Sequence, residues 1–156
     1  MRYDNSNRAI EERKQFLVSH KIGVCDIVES AERDKIDASD LGMKNIKLRD
    51  VISYLKQYPN IDTLLFTGGN SKNGPEYFFR KHLKDYNLRL ALVFNEVPRI
   101  HQFRLKNRSI KTVSLTSGSG AANISIGSMP LYKQLKAKNP KFNTFDFRVM
   151  QYREFF

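Results

Sequence analysis

The sequence predicts an α/β fold, a three-layer αβα arrangement around a mainly parallel central sheet. Short apolar runs of strand length occur at residues 21–29, 61–67 and 88–97. Segments with apolar residues at three- and four-residue spacing lie between these runs, which is the pattern of helices that cover a core. Strands that alternate with helices form βαβ units, and their parallel sheet is covered on both faces.

The first third of the chain predicts one helix, one strand and one long loop. Residues 9–20 are charged with a single apolar stripe, which indicates a surface helix. The run IGVCDIV within residues 21–29 contains Val and Ile, and its length favours a buried strand. Residues 29–47 are polar and irregular, so we expect a loop. Apolar residues at helical spacing then predict a helix from residue 48 to the stop at Pro59.

The middle of the chain predicts two further strands around a helix. Residues 61–67, IDTLLFT, form a buried-strand candidate, and Gly68-Gly69-Asn70 turns the chain toward a helix. That helix is expected to begin at Pro75, because proline suits a first helical position. The apolar run at residues 88–97 follows it.

The last third is expected to hold one strand and one helix. A basic connection at residues 99–111 leads to a strand at 112–115, which breaks at TSGSGAAN. A short helix at residues 131–138 ends before Asn139-Pro140. The aromatic tail at residues 142–156 fits an edge strand or a packing arm.

Length and composition predict a single domain that spans residues 1–156. The chain is 40% hydrophobic and 28% charged, and it has no apolar run of the ~18 residues that a membrane span needs. Its charged start lacks the apolar stretch of a secretory signal. One cysteine, Cys25, excludes an internal disulfide, a cysteine-ligated zinc site and an iron–sulfur cluster. We therefore expect a soluble, cytoplasmic monomer without membrane contact.

Charge points to a polyanionic partner. The formal net charge is +11, and it lies entirely in the second half of the chain: residues 1–78 hold 12 basic and 12 acidic side chains, whereas residues 79–156 hold 15 and 4. Such asymmetry favours nucleic acid first and an anionic membrane surface second. A solvated basic surface without a partner remains the alternative.

Candidate site residues follow from the carboxyl ends of the predicted strands, where open α/β sheets bind ligands. These ends are Asp26, residues 66–69 and residues 116–123. Asp26 could accept a hydrogen bond from a base edge or orient a water, or it could simply cap a turn. FTGGN offers backbone amides to an anion but lacks the dinucleotide and Walker patterns, so a plain tight turn fits equally.

The most unusual stretch is LTSGSGAAN at residues 115–123. Its small residues let backbone approach a ligand closely and enter a minor groove, although a flexible turn would look the same. The three histidines have no metal-ligand spacing, so we expect no metal site.

Four segments in this order resemble the uracil-DNA glycosylase superfamily, and its hypoxanthine/mismatch-type branch most closely. They are ERKQFL from Glu12, GVCDIVES from Gly23, YPNIDTLLFTG from Tyr58 and LTSGSGAAN from Leu115. The resemblance covers roughly residues 11–123, and the spacing of the segments is more specific than any one of them. It implies a glycosylase that flips a damaged base, uracil or hypoxanthine, out of DNA and hydrolyses its N-glycosidic bond in base-excision repair. The implied reaction uses neither a metal nor an organic cofactor.

The resemblance also assigns roles to residues of this chain. Asp26 would read the flipped base, and Ser117 would stabilise negative charge on the departing base. The remaining positions that it implies for contact with the base or with DNA are Cys25, Phe66, Thr67, Gly68, Ser119, Gly120, Ala121, Ala122 and Asn123. Among these, Ser119 falls on a phosphate-binding serine, and Gly120, Ala121 and Ala122 fall on the wedge that enters the duplex.

The chain departs from the family pattern in two places. Gly118 replaces the loop proline and Ser117 the His or Asn, and a serine hydroxyl donates one hydrogen bond but carries no charge. The family's first motif, a glycine-containing strand and loop that positions the attacking water, has no counterpart in MRYDNSN, so we expect the first core strand to be missing. A late start, a decayed gene or a short variant would each explain this. The alternatives to catalysis are a non-catalytic or decayed nucleic-acid-binding module of the same fold, and an unrelated α/β enzyme that binds a phosphorylated metabolite at FTGGN.

Overall fold

The computed structural model describes residues 4–35 and 40–156. Six helices, six strands and one short 3₁₀ turn follow one another within these residues. In chain order they are α1 (Asn7–Ser19), β1 (Val28–Arg33), the 3₁₀ turn (Asp40–Gly42), β2 (Met43–Leu48), α2 (Val51–Gln57), β3 (Thr63–Phe66), α3 (Pro75–Asp85), β4 (Ala91–Phe94), β5 (Arg99–Leu105), β6 (Arg108–Ser114), α4 (Gly120–Ser128), α5 (Pro130–Lys138) and α6 (Thr144–Arg153).

The larger sheet contains four strands in the order β3-β6-β5-β4, and it is mixed. β3 and β6 run parallel, whereas β6 with β5 and β5 with β4 run antiparallel. The α/β class is confirmed, but the expectation of a mainly parallel sheet is wrong. Lys106 and Asn107 alone join β5 to β6, and residues 95–98 join β4 to β5. Such short connections only permit antiparallel neighbours, since a parallel pair needs a crossover of about a dozen residues or more.

The basic segment at residues 99–111, expected to be a connection, forms β5 and the first part of β6. Along β5, His101, Phe103 and Leu105 are buried, while Gln102 and Arg104 between them are exposed. This alternation is the period-two pattern of a strand with one solvated face. Most of this basic segment therefore lies in two strands of the sheet and not in a loop.

Helices α2 and α3 form the main core with one face of this sheet. α2 contributes Ile52 and Leu55, α3 contributes Phe79 and Leu83, and both helices are present as predicted. The Phe79 ring lies 5.1 Å from the Phe66 ring and 5.6 Å from the Phe103 ring, centroid to centroid. Pro75 occupies the first turn of α3, and the sequence places the start of this helix correctly.

The region before α2 differs from the prediction. Residues 22–27 are not a buried strand: they are irregular, and the Val24 side chain is 75% exposed. β1 begins only at Val28 and pairs with β2 as an antiparallel hairpin, where a long loop was expected; residues 36–39 of that segment lie outside the described residues. The apolar residues 22–27 could be buried as a strand only by pairing with the four-stranded sheet. They lead instead into the β1–β2 hairpin, and neither of its strands belongs to that sheet.

The C-terminal third consists of three helices with a small core of their own. Ile126 of α4, Tyr132 of α5 and Phe147 of α6 form a buried cluster. α5 is the helix predicted at residues 131–138, whereas the aromatic tail is a helix and not an edge strand. Asn143 caps α6, and the Asp146 side chain accepts a hydrogen bond from the Asn143 backbone, which completes a capping box.

Candidate nucleic-acid interface

The carboxyl ends of β3 and β6 lie side by side, as the sequence predicts for two of its three candidate segments. The strands pair from Thr63 with Lys111 to Phe66 with Ser114. The Leu115 N–H then donates to the Phe66 carbonyl at 2.8 Å, so the pairing continues to the last residue before the loop. Residues 67–69 and 116–123 therefore leave the sheet at the same edge.

The turn after β3 is closely packed against the start of α3. Gly68 is buried, and a Cβ atom on it would lie 2.9 Å from Cδ of Pro75. A Cβ atom on Gly74 would lie 2.6 Å from the Gly69 carbonyl oxygen, so only glycine fits at either position. Thr67 is exposed at the tip, while the Phe66 ring turns inward onto Phe79. Within residues 66–68, Thr67 is thus the side chain that reaches solvent.

The segment after β6 is half loop and half helix. Ser119 is the N-cap of α4, and its Oγ accepts a hydrogen bond from the Ala122 N–H at 3.3 Å. Ser117 Oγ accepts from the Ser119 N–H at 3.2 Å. A serine hydroxyl donates one hydrogen bond in addition to those it accepts, so both residues keep a donor for a ligand. A Cβ atom on Gly118 or Gly120 would have no heavy atom within 4 Å, so space surrounds the backbone at both positions.

Helix α6 holds this segment through three side chains, a feature that the sequence analysis missed. Gln151 Oε1 accepts from the Thr116 N–H at 2.7 Å, and the Tyr152 hydroxyl donates to the Thr116 carbonyl at 3.0 Å. Burial raises the pKa of Tyr152, so its hydroxyl stays protonated and keeps donating near neutral pH. Arg148 donates to the carbonyls of Ser117 and Ser119.

A buried polar network lies below the interface, between α3 and the sheet. The Glu76 carboxylate accepts from Ser114 Oγ at 2.6 Å and from Arg80 Nε at 2.8 Å, and an Arg80 Nη2 donor lies 3.0 Å from His101 Nε2. Arginine only donates, so His101 Nε2 accepts and the His101 ring proton is on Nδ1. Burial lowers the pKa of His101, which keeps the ring neutral. Because Ser114 ends β6, this network fixes the strand from which the candidate loop departs.

Asp26 and Cys25 do not follow a strand, contrary to the expectation on which they were chosen. The Asp26 carboxylate accepts from the Val28 N–H at 3.0 Å, and its carbonyl accepts from Arg49 Nε at 2.9 Å. These contacts hold Asp26 beside β1 and the residue that precedes the N-cap of α2. Cys25 is free and exposed. Their assignment to base recognition stays a prediction.

Within residues 4–35 and 40–156, no group of three or more His, Cys, Asp or Glu side chains is placed to hold a metal ion. None of the helices in the same ranges is long and apolar enough to cross a membrane.

Comparison with known proteins gives no relative: no protein-family model, no curated protein and no solved structure matches the chain.

Proposed function

We propose that the chain is a DNA-binding protein of the uracil-DNA glycosylase type, which removes uracil or hypoxanthine from DNA during base-excision repair. One observation carries the proposal: FTG at residues 66–68 and TSGSGAAN at residues 116–123 leave neighbouring parallel strands at one edge of the sheet. These are two of the segments that resemble the family.

The surroundings of residues 116–123 support contact with a DNA backbone. Ser117 and Ser119 each have a hydroxyl donor to offer, and donors of this kind bind phosphate oxygens. α4, which begins at Gly120, is in contact with α5, whose side chains Lys133, Lys136 and Lys138 are exposed. The loop and the lysines thus belong to one packed group of helices that carries positive charge.

The fold that we propose is a glycosylase-like sheet without its first core strand. β3 supports this, because it is four residues long and lies at the edge of the sheet. An edge strand has one row of unpaired backbone groups, and a further strand would pair there. On this proposal the antiparallel strands β5 and β4 extend the sheet on its other side.

The test is a base-excision assay with excess protein on uracil-containing and hypoxanthine-containing oligonucleotides, single-stranded and duplex. Alkali cleaves the DNA strand at abasic sites. We expect more cleaved product than in a buffer control with the uracil-containing oligonucleotide, the hypoxanthine-containing one, or both. Asp26→Ala is expected to abolish it. Asp62→Ala is the matched control, because Asp62 is an exposed aspartate directly before β3, at the end of the strand opposite to the candidate loops. This variant should leave activity unchanged.

Failure of the wild-type protein to produce abasic sites with either base would refute catalysis by this chain. Equal activity of the Asp26→Ala and Asp62→Ala variants would refute the role of Asp26 alone.

A second candidate function is DNA binding without catalysis. It is favoured by the position of Asp26, whose hydrogen bonds tie it to Val28 and Arg49 and not to the loops after β3 and β6. A base-reading carboxylate must reach the flipped base within hydrogen-bond distance. The binding module predicts DNA affinity that falls with salt, with no abasic product, and the two functions are separated by running both measurements on one preparation.

A further inference from the structure

Arg148 holds the loop before α4 at two points and the start of α4 at a third. Its Nε donates to the Ser117 carbonyl at 2.8 Å, and Nη2 donates to the Ser119 carbonyl at 3.2 Å and to Asn123 Oδ1 at 2.6 Å. Three of the five N–H donors of the guanidinium are therefore directed at the loop and the start of α4. The three acceptors lie on residues 117–123, the segment that we propose to contact DNA.

Such bonds matter because, beyond the contacts at Thr116 and the two serine caps, the loop has few packing contacts to fix it. Residues 117–121 consist of Ser, Gly, Ser, Gly and Ala, which bring few apolar contacts, and glycine loses more conformational freedom on ordering than any other residue. Gly118, Ser119, Gly120 and Ala121 are exposed. Arg148 itself is half-buried and projects from α6, which the capping box and the Phe147 contacts hold in place.

We propose that Arg148 is a positioning residue that orders residues 117–123 before DNA arrives, so that the hydroxyls of Ser117 and Ser119 face a phosphodiester. This inference rests on the proposed function. The direction of its three bonds argues for positioning and against direct phosphate contact. Lysine cannot replace it, because a single ammonium does not match the planar fork that reaches several acceptors at once.

The experiment compares the wild-type chain with Arg148→Gln, Arg148→Lys and Arg153→Gln. Arg153 is the matched control, since it is an exposed arginine on the same helix and its loss removes the same charge. Amide hydrogen exchange of a peptide that covers residues 116–125 reports the order of the loop. A salt titration of the affinity for a fluorescent DNA duplex reports the number of phosphate contacts.

We expect Arg148→Gln and Arg148→Lys to lose protection in this peptide, while Arg153→Gln keeps it. A loop that is in its binding form about one-tenth of the time raises the apparent Kd about tenfold. The slope of log K against log salt should stay the same for Arg148→Lys, since the charge and the phosphate contacts are both retained. Should Arg148→Gln fail to fold, the lysine variant carries the test.

Three results would overturn the inference, and one separates it from the proposed function. Unchanged protection in both Arg148 variants would show that the loop does not need Arg148. Full affinity and protection in Arg148→Lys would show that only the charge counts. A slope shallower by about 0.9 in Arg148→Gln, with protection unchanged, would show a direct phosphate contact. A wild type that protects the loop but binds no DNA would refute the proposed function and leave the ordering role of Arg148 standing.

Discussion

Replacing Glu76 by glutamine tests whether the buried polar network stabilises the sheet edge from which the candidate loop departs. Glu76 is 1% exposed, and its carboxylate binds both Ser114 and Arg80. Glutamine keeps the shape and an acceptor oxygen but loses the charge. The Arg80 guanidinium then stays between α3 and the sheet without its counter-charge. The N–H₂ group of the introduced glutamine also donates, so it competes with Arg80 for hydrogen-bond acceptors.

The expected loss follows from the burial of Glu76 and the partial burial of Arg80. Removing one partner of a fully buried ion pair costs about 3–5 kcal/mol, and hydrogen bonds to a charged group are worth about 1.5–3 kcal/mol. The Arg80 side chain is 33% exposed, so water takes over part of the interaction. We therefore expect Glu76→Gln to lower the free energy of unfolding by about 2–3 kcal/mol. For a chain of this length, that lowers Tm by about 4–12 °C.

Urea unfolding followed by circular dichroism measures this change. Glu29→Gln is the control, because Glu29 makes an exposed ion pair with Lys47 at 2.7 Å and undergoes the same chemical change. Exposed pairs of this kind contribute little to stability, so its unfolding midpoint should match the wild type. A Glu76→Gln midpoint no lower than that of Glu29→Gln would refute the stabilising role of the network.

Two further predictions concern the core. Burial lowers the pKa of His82 and of His101 below that of a free histidine, so the unfolded chain binds more protons than the folded one at mildly acid pH. For His82 the neighbouring Asp50 opposes this shift, and for His101 Glu76 opposes it while the nearby arginines add to it; the net direction stays downward for both. The contribution of the two histidines to stability should therefore be fully present above about pH 6.5 and fall as the pH drops below that value. Equal urea midpoints at pH 8 and pH 5.5 would contradict this direction. Phe79→Ala removes a fully buried ring and should lower the free energy of unfolding by about 3–5 kcal/mol. Phe145→Ala, at an exposed ring on α6, should change the thermal midpoint little, and similar midpoints for the two variants would place the core elsewhere.

The helices before and after β3 could be predicted because each carries two independent signals. In α2, apolar residues at helical spacing end before Pro59, and in α3 a proline marks the first turn of an apolar face. Residues 22–27 carry one signal only, apolar content. A short apolar run does not distinguish a buried strand from an exposed segment, and here Val24 is exposed.

The antiparallel strands and the α6 contacts were missed although the sequence holds signals for both. In residues 99–105, Ile100, Phe103 and Leu105 are interleaved with charged and polar side chains, and the high charge of the segment led to the expectation of a connection. Asn143 followed by Asp146 has the spacing of a capping box and predicts the start of α6. On that helix Arg148 and Tyr152 share a face at four-residue spacing. That this face meets residues 116–123 is a tertiary contact, which no local pattern contains.

DNA binding is the central claim, because both candidate functions depend on it. The most direct measurement is the affinity of the wild-type protein for a uracil-containing duplex at several salt concentrations between 50 and 200 mM. If Lys133, Lys136 and Lys138 each neutralise one phosphate, the slope of log K against log salt is about −2.7. An affinity that does not change across this range, or no binding at the lowest salt, would contradict the account.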